Sequence, residues 1–421
     1  MRTRLAHAAL LLVATVAGVL VLGTGAAHAK GESVRGTLRF DQKPVQGVVL
    51  SVKGNSGFTG RGTSDAQGKW EVPVPGPGSY AVAIDVESLP EGVTLRDPDR
   101  TEISTQVNGG QQKTVLFALG KETRQVESTT DQAINRAAQG LRFGLLIALA
   151  AVGLSLIFGT TGLTNFAHGE LVTLGALVAY FFHVRVGMPL LLATLFTVVV
   201  CGLAGAALDS GLWGPLRRRG TGLIAMMIVS IGLSILLRYV FLYRFGGGTR
   251  SYTDAQGQTS VGPGPITLTA LDYLSMALSV LILVGVAFFL LRTRIGKATR
   301  AVADNPALAS ASGIDVERVI RIVWITGTAL AGFAGVLLGI AQQVNFQMGF
   351  QILLLVFAAV TLGGLGTAFG ALVGAIVVGL FVEMSTLVIP AELKSVGALG
   401  ILILILLVRP QGILGRAERV G

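Results

Sequence analysis

Long apolar runs dominate the chain from Gly140 to its C-terminus. Each run is about 20 residues long, which is the length that an α-helix needs to cross the hydrocarbon core of a bilayer. We therefore predict an α-helical polytopic membrane protein with about nine spans. The predicted spans lie near residues 141–159, 163–182, 189–210, 221–243, 271–291, 319–341, 350–365, 368–389 and 395–408.

The segment 30–120 has a different pattern, in which short alternating runs are separated by turn residues. Val45–Val52 and Tyr80–Val86 are predicted strands. Residues rich in glycine, proline and aspartate predict turns at Ser64–Gly68 and Pro73–Gly78. Short strands at this spacing predict a small N-terminal all-β sandwich domain.

The first 29 residues are predicted to be a signal peptide, because a basic start precedes an apolar stretch and an A-x-A site at Ala27–Ala29. An uncleaved anchor helix is the alternative. In both cases segment 30–120 is expected outside the cytoplasm. The polar segment 121–139 is a predicted linker, and 140–415 is the predicted transmembrane domain.

The distribution of basic residues agrees with this orientation. Nine spans after an outside domain place the C-terminal tail, 416–421, in the cytoplasm, where Lys and Arg are enriched in the loops of membrane proteins. The predicted inside segments hold Arg217, Arg218, Arg219, Arg292, Arg294, Lys297, Arg300, Arg318, Arg409, Arg416 and Arg419. The predicted outside loops hold only Arg185, Arg244, Arg250 and Lys394. We expect a multi-pass protein of the cell membrane.

Composition narrows the function further. Only 13% of residues are charged, against about 25% in a soluble domain, and the basic excess falls in the transmembrane domain, so we expect no nucleic-acid binding. Cys201 is the single cysteine and there are four histidines, which argues against a metal site. The sequence has no GxxxxGK[ST], HExxH or GxSxG string. We predict a chain that is not itself catalytic and holds no cofactor.

The long inside loop, 294–315, contains strong signals for a short helix. Asn305 is a suitable N-cap, Pro306 fits the first helical position, and Gly313 fits the C-terminal end. These residues predict a helix over about 306–312. A short helix on the cytoplasmic face is either a docking element for another protein or a solvated connection.

The second predicted span begins with a polar string that contains Asn165, His168 and Glu170. An ionisable side chain at the bilayer centre costs about 2.5–3.5 kcal/mol, so we do not expect these residues to face lipid. Three arrangements remain open: a structural polar network, the lining of a translocation path, or a position near the cytoplasmic interface. Asp209 and Arg238 are further charged residues in spans, and one hypothesis is that they meet across adjacent helices.

Gly363 and Gly364 belong to a glycine-rich string within the last predicted spans. Small residues at this density permit close helix packing. The same string is also suited to break a helix, as transporters do near their substrates. The sequence leaves open whether 350–389 forms one interrupted span or two.

These segments together resemble the permease subunits of branched-chain amino acid ABC importers, over about 270 residues. The type of permease that carries the Asn-Phe-Ala-His-Gly string is the most similar. The N-terminal domain resembles carboxypeptidase-regulatory-like or prealbumin-like sandwich modules, which such permeases ordinarily lack. The matching permease strings, in family order, are Gly153–Gly159, Leu163–Glu170, Arg300–Asp304 with Ala309 and Gly313–Asp315, Ala329–Leu337, Val360–Gly366 with Gly370–Gly374, and Arg409–Gly415.

The resemblance implies a membrane subunit that works with a second, homologous permease, cytoplasmic ATP-binding subunits and an extracytoplasmic solute-binding protein. It implies transport of branched-chain or related small amino acids, with ATP hydrolysed in the partner chains. It also implies that the inside loop couples to the ATPase. The candidate coupling residues are Arg300, Asp304, Asn305, Pro306, Ala309 and Gly313.

Two other functions remain open at this point. An ion-coupled secondary transporter or channel would use His168, Glu170 or Glu383 as its coupling group. A membrane-anchored adhesion or receptor protein would act through the sandwich domain.

Overall fold

The structure is a computed structural model. It describes residues 32–40, 43–54, 57–95, 97–107, 112–120, 128–255, 258–390 and 412–414, with the single residues Gly400, Ile403 and Leu407. These residues form two compact units, an all-β unit within 24–126 and a helical unit within 127–241 and 251–421. The predicted signal peptide, residues 121–127 of the predicted linker, most of the ninth predicted span and the tail lie outside the described residues.

The all-β unit consists of two main sheets and a short two-stranded ribbon. The strands are β1 Ser33–Thr37, β2 Arg39–Phe40, β3 Lys43–Pro44, β4 Val49–Gly54, β5 Thr59–Thr63, β6 Lys69–Pro73, β7 Gly78–Ile84, β8 Glu102–Val107 and β9 Gln112–Thr114. The first sheet has the order β6-β1-β9, with β1 antiparallel to β6 and parallel to β9. The second sheet is antiparallel throughout, with the order β5-β4-β7-β8, and β2 pairs with β3.

Both sheets contribute to one apolar core, as a sandwich requires. Val34 and Trp70 come from the first sheet, and Leu50 and Val82 come from the second. Alternate residues along β4 and β7 point into this core, so the period-two pattern of the sequence is the signal that places them.

The bounds of the two predicted strands differ from the observed ones. The strand predicted from Val45 begins only at Val49, because Gly47 has a positive φ of 86° and turns the chain before it. The strand predicted to end at Val86 ends at Ile84, because Asp85 caps a 3-10 turn over Val86–Ser88. The predicted turn around Asp65 is confirmed, since its carboxylate accepts from the N–H groups two and four residues on.

The helical unit contains eleven α-helices among the described residues. The helices are α1 Thr129–Thr161, α2 His168–Tyr180, α3 Leu190–Leu208, α4 Gly214–Arg218, α5 Leu223–Phe245, α6 Ala270–Arg292, α7 Arg294–Asp304, α8 Pro306–Ala311, α9 Val316–Gln342, α10 Met348–Gly363 and α11 Ala368–Ser385. Two π-helical turns, Phe181–Arg185 and Asp209–Trp213, continue α2 and α3.

Six helical segments of the described chain are long and apolar enough to cross a membrane: α1, α3 with α4, α5, α6, α9 and α11. α10 is apolar but shorter. The predicted count of nine spans is therefore not confirmed. The segment 350–389 contains two helices, α10 and α11, and α1 begins eleven residues before the predicted boundary at 140.

We name the two ends of the helical unit by their loops. The first end of the unit carries the loop 294–315. It holds the last residues of α1 and the first residues of α9 and α11. The opposite end carries the loop 246–269 and holds the first residues of α6 and the last residues of α2, α9 and α11. Contacts at this second end include the His183 Nε2 to Thr253 Oγ1 bond of 2.7 Å and the ion pair of Arg136 with Glu383.

Glycines allow α1, α2 and α9 to approach each other closely in the centre of the unit. Gly153 of α1 faces Gly327 of α9, where an added Cβ would lie 2.6 Å from the Gly327 carbonyl oxygen. Gly175 of α2 contacts Gly332 of α9, and an added Cβ there would overlap the Gly332 backbone. Backbone atoms have little freedom to move aside, so these positions require glycine.

We predict that Gly175→Ala destabilises the helical unit by about 1–3 kcal/mol, because the new methyl group forces α2 away from α9. The measurement is the melting temperature of the purified protein in detergent. Gly232→Ala is the matched control, since no atom lies within 4 Å of a Cβ at that position of α5. An equal melting temperature for both variants would contradict the predicted packing.

Candidate translocation site

α2 begins inside the bundle, well away from either end. The Nε2 atom of His168 at the start of α2 lies 2.9 Å from the Ala150 carbonyl oxygen. Ala150 lies eleven residues before α1 ends at Thr161, which is about 16 Å at 1.5 Å per residue. The residues between the two helices therefore run back along α1 before α2 starts, and His168 lies about eleven residues' length inside the end of α1.

The returning segment satisfies its own backbone groups, as non-helical chain within a membrane protein must. The Phe166 N–H donates to Ser230 Oγ at 3.0 Å. The Asn165 side-chain oxygen accepts from the Ala167 N–H at 3.1 Å, and its carbonyl oxygen accepts from the His168 N–H. Asn165 thus holds the turn that leads into α2.

A second break repeats this arrangement between α9 and α10. Gln343 has a positive φ of 67°, as Gly162 has after α1. The Asn345 side-chain oxygen accepts from the Gln347 N–H at 2.9 Å, and its carbonyl accepts from the Met348 N–H. Both breaks carry the same string, Asn-Phe-x-x-Gly, at 165–169 and at 345–349.

The two helix starts meet at what we call the junction, formed by Gly169, Thr173 and Gly349. The Gly349 N–H donates to Thr173 Oγ1 at 3.1 Å, and a Cβ on Gly169 would lie 2.6 Å from the Gly349 carbonyl oxygen. Two helix N-termini, each with a partial positive charge, thus come together inside the bundle. Transporters built from interrupted helices bind polar solutes at such points.

A polar cluster of Glu170, Ser234 and Arg238 adjoins the junction. Glu170 Oε1 accepts from Arg238 Nη2 at 2.9 Å, from Arg238 Nε at 3.1 Å and from Ser234 Oγ at 3.1 Å. The Arg238 guanidinium also lies 3.7 Å from the centre of the Phe350 ring. The cluster joins α2, α5 and α10, and the second carboxylate oxygen of Glu170 is buried with no hydrogen-bond partner among the described residues.

His168 is fully buried and its ring is used structurally. Because Nε2 faces a carbonyl oxygen, this nitrogen carries the proton and donates. Nδ1 is buried and has no partner among the described residues. His168 and Glu170 follow each other in the first turn of α2 but contact different helices, α1 and α5.

The predicted pairing of Asp209 with Arg238 is wrong. Arg238 pairs with Glu170, whereas Asp209 accepts from Arg217 at 2.7 Å and lies 3.6 Å from Arg321. The reason is that α3 continues through a π-helical turn into α4, which brings Arg217 back onto Asp209 at the 294–315 end. Arg217 also contacts Glu317, so this group ties α3 to the start of α9.

The glycine-rich string at Gly363 and Gly364 interrupts the helix. This agrees with the second of the two interpretations given for it, a helix break. α10 ends at Gly363, Gly364 has a φ of 110°, and α11 begins after a short turn. The N–H of Leu414 donates to the Gly363 carbonyl oxygen at 3.0 Å. This turn lies at the 294–315 end, so Gly363 and Gly364 are not part of the junction.

The short helix predicted in the inside loop is confirmed as α8, Pro306–Ala311. Asn305 caps it by accepting from the Leu308 N–H at 3.0 Å, and Gly313 has a φ of 83°. Ala309 is buried. Arg300 and the run from Ala303 to Leu308 are exposed.

Two groups of residues escaped the sequence analysis. The first is the second Asn-Phe-x-x-Gly string, which a search for internal repeats would have found. The second is the buried ion pair of Arg142 with Asp272, at 2.8 Å. The sequence signal for this pair is a charged residue at the start of each of two apolar runs. Within the described part of the chain no group of three or more His, Cys, Asp or Glu residues could hold a metal ion.

Comparison with known proteins identifies the family of this bundle. Residues 136–406, which include both returning segments and α8, match the family described as the branched-chain amino acid transport system permease component. The chain belongs to this family. The permease is therefore a membrane subunit of a transport system, and neither the ion-coupled nor the adhesion alternative is favoured.

Two of the curated relatives match over nearly their whole length, and a third matches over 68% of its length. LivH of Escherichia coli K12, a high-affinity branched-chain amino acid transport permease, is 32% identical over 66% of this chain and 94% of its own. BraD of Pseudomonas aeruginosa is 31% identical over 68% of this chain and 96% of its own. LivM of Escherichia coli K12 is 24% identical over 64% of this chain and 68% of its own. No solved structure matches the chain.

We predict that Arg238→Leu destabilises the permease by about 2.5–3.5 kcal/mol, because it leaves the buried Glu170 carboxylate without its cation. The double variant Arg238→Leu with Glu170→Leu should recover most of this loss. Thermal unfolding in detergent measures both.

The control is Arg136→Leu, which removes an ion pair of 3.8 Å whose arginine is 40% exposed. Because this pair is longer and its arginine is partly solvated, its loss should cost less than the loss of Arg238. If Arg238→Leu melts no lower than this control, Glu170 and Arg238 are not coupled as the structure indicates.

Proposed function

We propose that the permease forms the transmembrane path of an ATP-driven importer for branched-chain or related small amino acids. The observation that carries this proposal is the family match over 136–406, together with relatives named for branched-chain amino acid transport. ATP hydrolysis belongs to separate chains in this proposal.

The junction is the proposed passage point for the solute, with Asn165, His168 and Glu170 around it. Two interrupted helices meet there by their N-termini, and only small side chains separate them. The dipoles at these N-termini favour a carboxylate. Glu170 and Arg238 compensate each other's charge, so the surroundings carry no net charge.

The docking surface proposed for the ATP-binding subunits is the exposed run from Ala303 to Leu308. Leu308 is a large apolar side chain that is 65% exposed. Arg294, Lys297 and Arg300 are exposed on the preceding helix. An exposed apolar residue beside basic side chains suits a partner surface with an apolar pocket and an acidic rim.

Further partners follow from the family and from the extra domain. LivH and LivM are both named permease proteins of the high-affinity branched-chain amino acid system of Escherichia coli, which supports a second, homologous permease here. The family resemblance supports an extracytoplasmic solute-binding protein. The N-terminal sandwich is proposed to guide that protein or to replace part of its contact.

The proposed orientation places segment 30–120 and the loop 246–269 outside, and the loop 294–315 and the tail in the cytoplasm. It rests on the predicted signal peptide and on the excess of basic residues in the inside segments. The native Cys201 is fully buried against Gly332, so it should not react with aqueous thiol reagents.

We predict that Thr259→Cys is labelled in intact cells by a membrane-impermeant maleimide, and that Ser310→Cys is labelled only after the membrane is opened. Both positions are exposed. The parent protein, with Cys201 alone, is the control for background labelling. The reverse accessibility would overturn the orientation.

We predict that Leu308→Glu abolishes the stimulation of ATP hydrolysis by solute in the reconstituted importer, because it places a carboxylate in the apolar centre of the docking surface. Ser310→Glu, which adds the same charge on the other side of α8, should retain most of it. Ala309 is unsuitable for this test because its side chain is buried and a larger one would disrupt α8. Full coupling in Leu308→Glu would reject the docking surface.

A further inference from the structure

Two glutamines lie on the exposed side of α10, next to the junction. Gln347 is the residue before the first turn of α10, Gln351 follows one turn later, and both are exposed. Phe350 and Leu354 continue the same face of the helix, because side chains three and four residues apart lie above one another. These two apolar side chains are 46% and 54% exposed. We call the surface of these four residues the glutamine stripe.

The glutamine stripe lies near the middle of the apolar length of the helical unit. Gly349, which lies between the two glutamines, touches Gly169 of the junction. The start of α2 is level with Ala150 of α1, as the bond from the histidine before Gly169 shows. Ala150 is ten residues after Gly140, where the apolar run begins, and eleven residues before the end of α1. Both side-chain amides therefore lie at the depth where a bilayer contains no water.

An amide at this depth requires hydrogen-bond partners. Each glutamine side chain has an NH₂ group that donates and an oxygen that accepts. Lipid tails satisfy neither group, so polar side chains at this depth face protein or a water-filled space. Among the described residues the Gln347 backbone N–H bonds to Asn345, but neither side-chain amide forms a hydrogen bond. A lipid-facing position for the glutamine stripe is therefore unfavourable.

The last apolar run of the chain does not supply the missing partners either. Residues 396–408 read VGALGILILILLV and contain no polar side chain. If this run covered the glutamine stripe, both amides would be enclosed by apolar groups, which carries the full cost of removing them from water. Water is the partner that remains, and a water-filled space inside a bilayer needs a second wall of protein.

The chemistry of the glutamine stripe suits an amino acid. A side-chain amide donates to a carboxylate and accepts from an ammonium group, so two amides serve a solute that carries both groups. Phe350 and Leu354 offer apolar contact to an aliphatic side chain beside them. The Arg238 guanidinium lies 3.7 Å from the centre of the Phe350 ring, which joins the stripe to the polar cluster of Glu170. Apolar walls with a few polar groups are typical of small-molecule sites.

We propose that the glutamine stripe is one wall of the solute path, where Gln347 and Gln351 bond the carboxylate and ammonium groups of the passing amino acid. The second, homologous permease forms the opposite wall and closes the path against lipid. The inference rests on the proposed transport function and adds to it the side chains that contact the solute.

Thiol labelling tests whether the glutamine stripe faces water in the complete importer. The permease is reconstituted in proteoliposomes with the second permease and the ATP-binding subunits. Gln351→Cys should react with a charged methanethiosulfonate reagent at least tenfold faster than Leu281→Cys, because only a thiol in contact with water ionises and reacts. Leu281 is the matched control, since it lies in the middle of α6 and is 66% exposed. The parent protein, with Cys201 alone, gives the background.

Import measurements test the contact with the solute. Gln347→Leu and Gln351→Leu should each lower the initial rate of L-leucine import at least tenfold, because leucine side chains offer no hydrogen bonds. Gln132→Leu makes the same change in the first turn of α1, outside the apolar run, and should import at the parent rate. L-leucine delivered by the solute-binding protein should also slow the labelling of Gln351→Cys at least threefold.

The outcomes separate this inference from the proposed function. If the parent complex imports leucine but Gln351→Cys reacts no faster than Leu281→Cys, the glutamine stripe is not in the path, and the transport function stands. Parent rates of import in both leucine variants would overturn the solute contact in the same way. If the parent complex imports no amino acid at all, the proposed function fails, and this inference fails with it.

Discussion

The two breaks in the helical unit impose the constraint on which its architecture depends. Non-helical backbone inside a membrane protein has no water to bond with, so each N–H and carbonyl needs a partner in the protein. Asn165 and Asn345 meet this need by accepting from the N–H groups that follow them. Gly169 and Gly349 then allow the two helix starts to touch. A larger residue at either glycine would separate the breaks and leave their polar groups unpaired.

The same shortage of water explains how the charged residues are arranged. Each buried carboxylate of the described helices has an arginine close by: Glu170 has Arg238, Asp272 has Arg142, Asp209 has Arg217, and Glu383 has Arg136. These pairs also attach the outer helices, since α5 is held to α2 through Ser234 and Arg238. Polar contacts therefore hold the helices of this bundle together. In a soluble helical bundle, apolar packing has this role because water drives the association of apolar surfaces.

The sequence predicted the spans and helix caps well, because both depend on local residues. Apolar length located α3, α5, α6, α9, α11 and the C-terminal end of α1 within a few residues, and Asn305 located the start of α8. It did not predict that α2 begins inside the bundle, because the predicted span 163–182 was judged by its length and average apolarity, which do not locate a break within it. It paired Asp209 with the wrong arginine, because an ion pair depends on which helices are neighbours, and neighbours are set by glycine contacts such as Gly175 with Gly332.

α9 connects the proposed sites physically. It begins at Val316, directly after α8, and Glu317 in its first turn contacts Arg217. Its centre packs on α1, α2 and α3 through glycines, and it ends at Gln342, where the chain turns into the junction. α9 is therefore one continuous helix between the proposed docking surface and the proposed passage point. An ATP-driven importer requires a physical connection of this kind between its partner surface and its solute path.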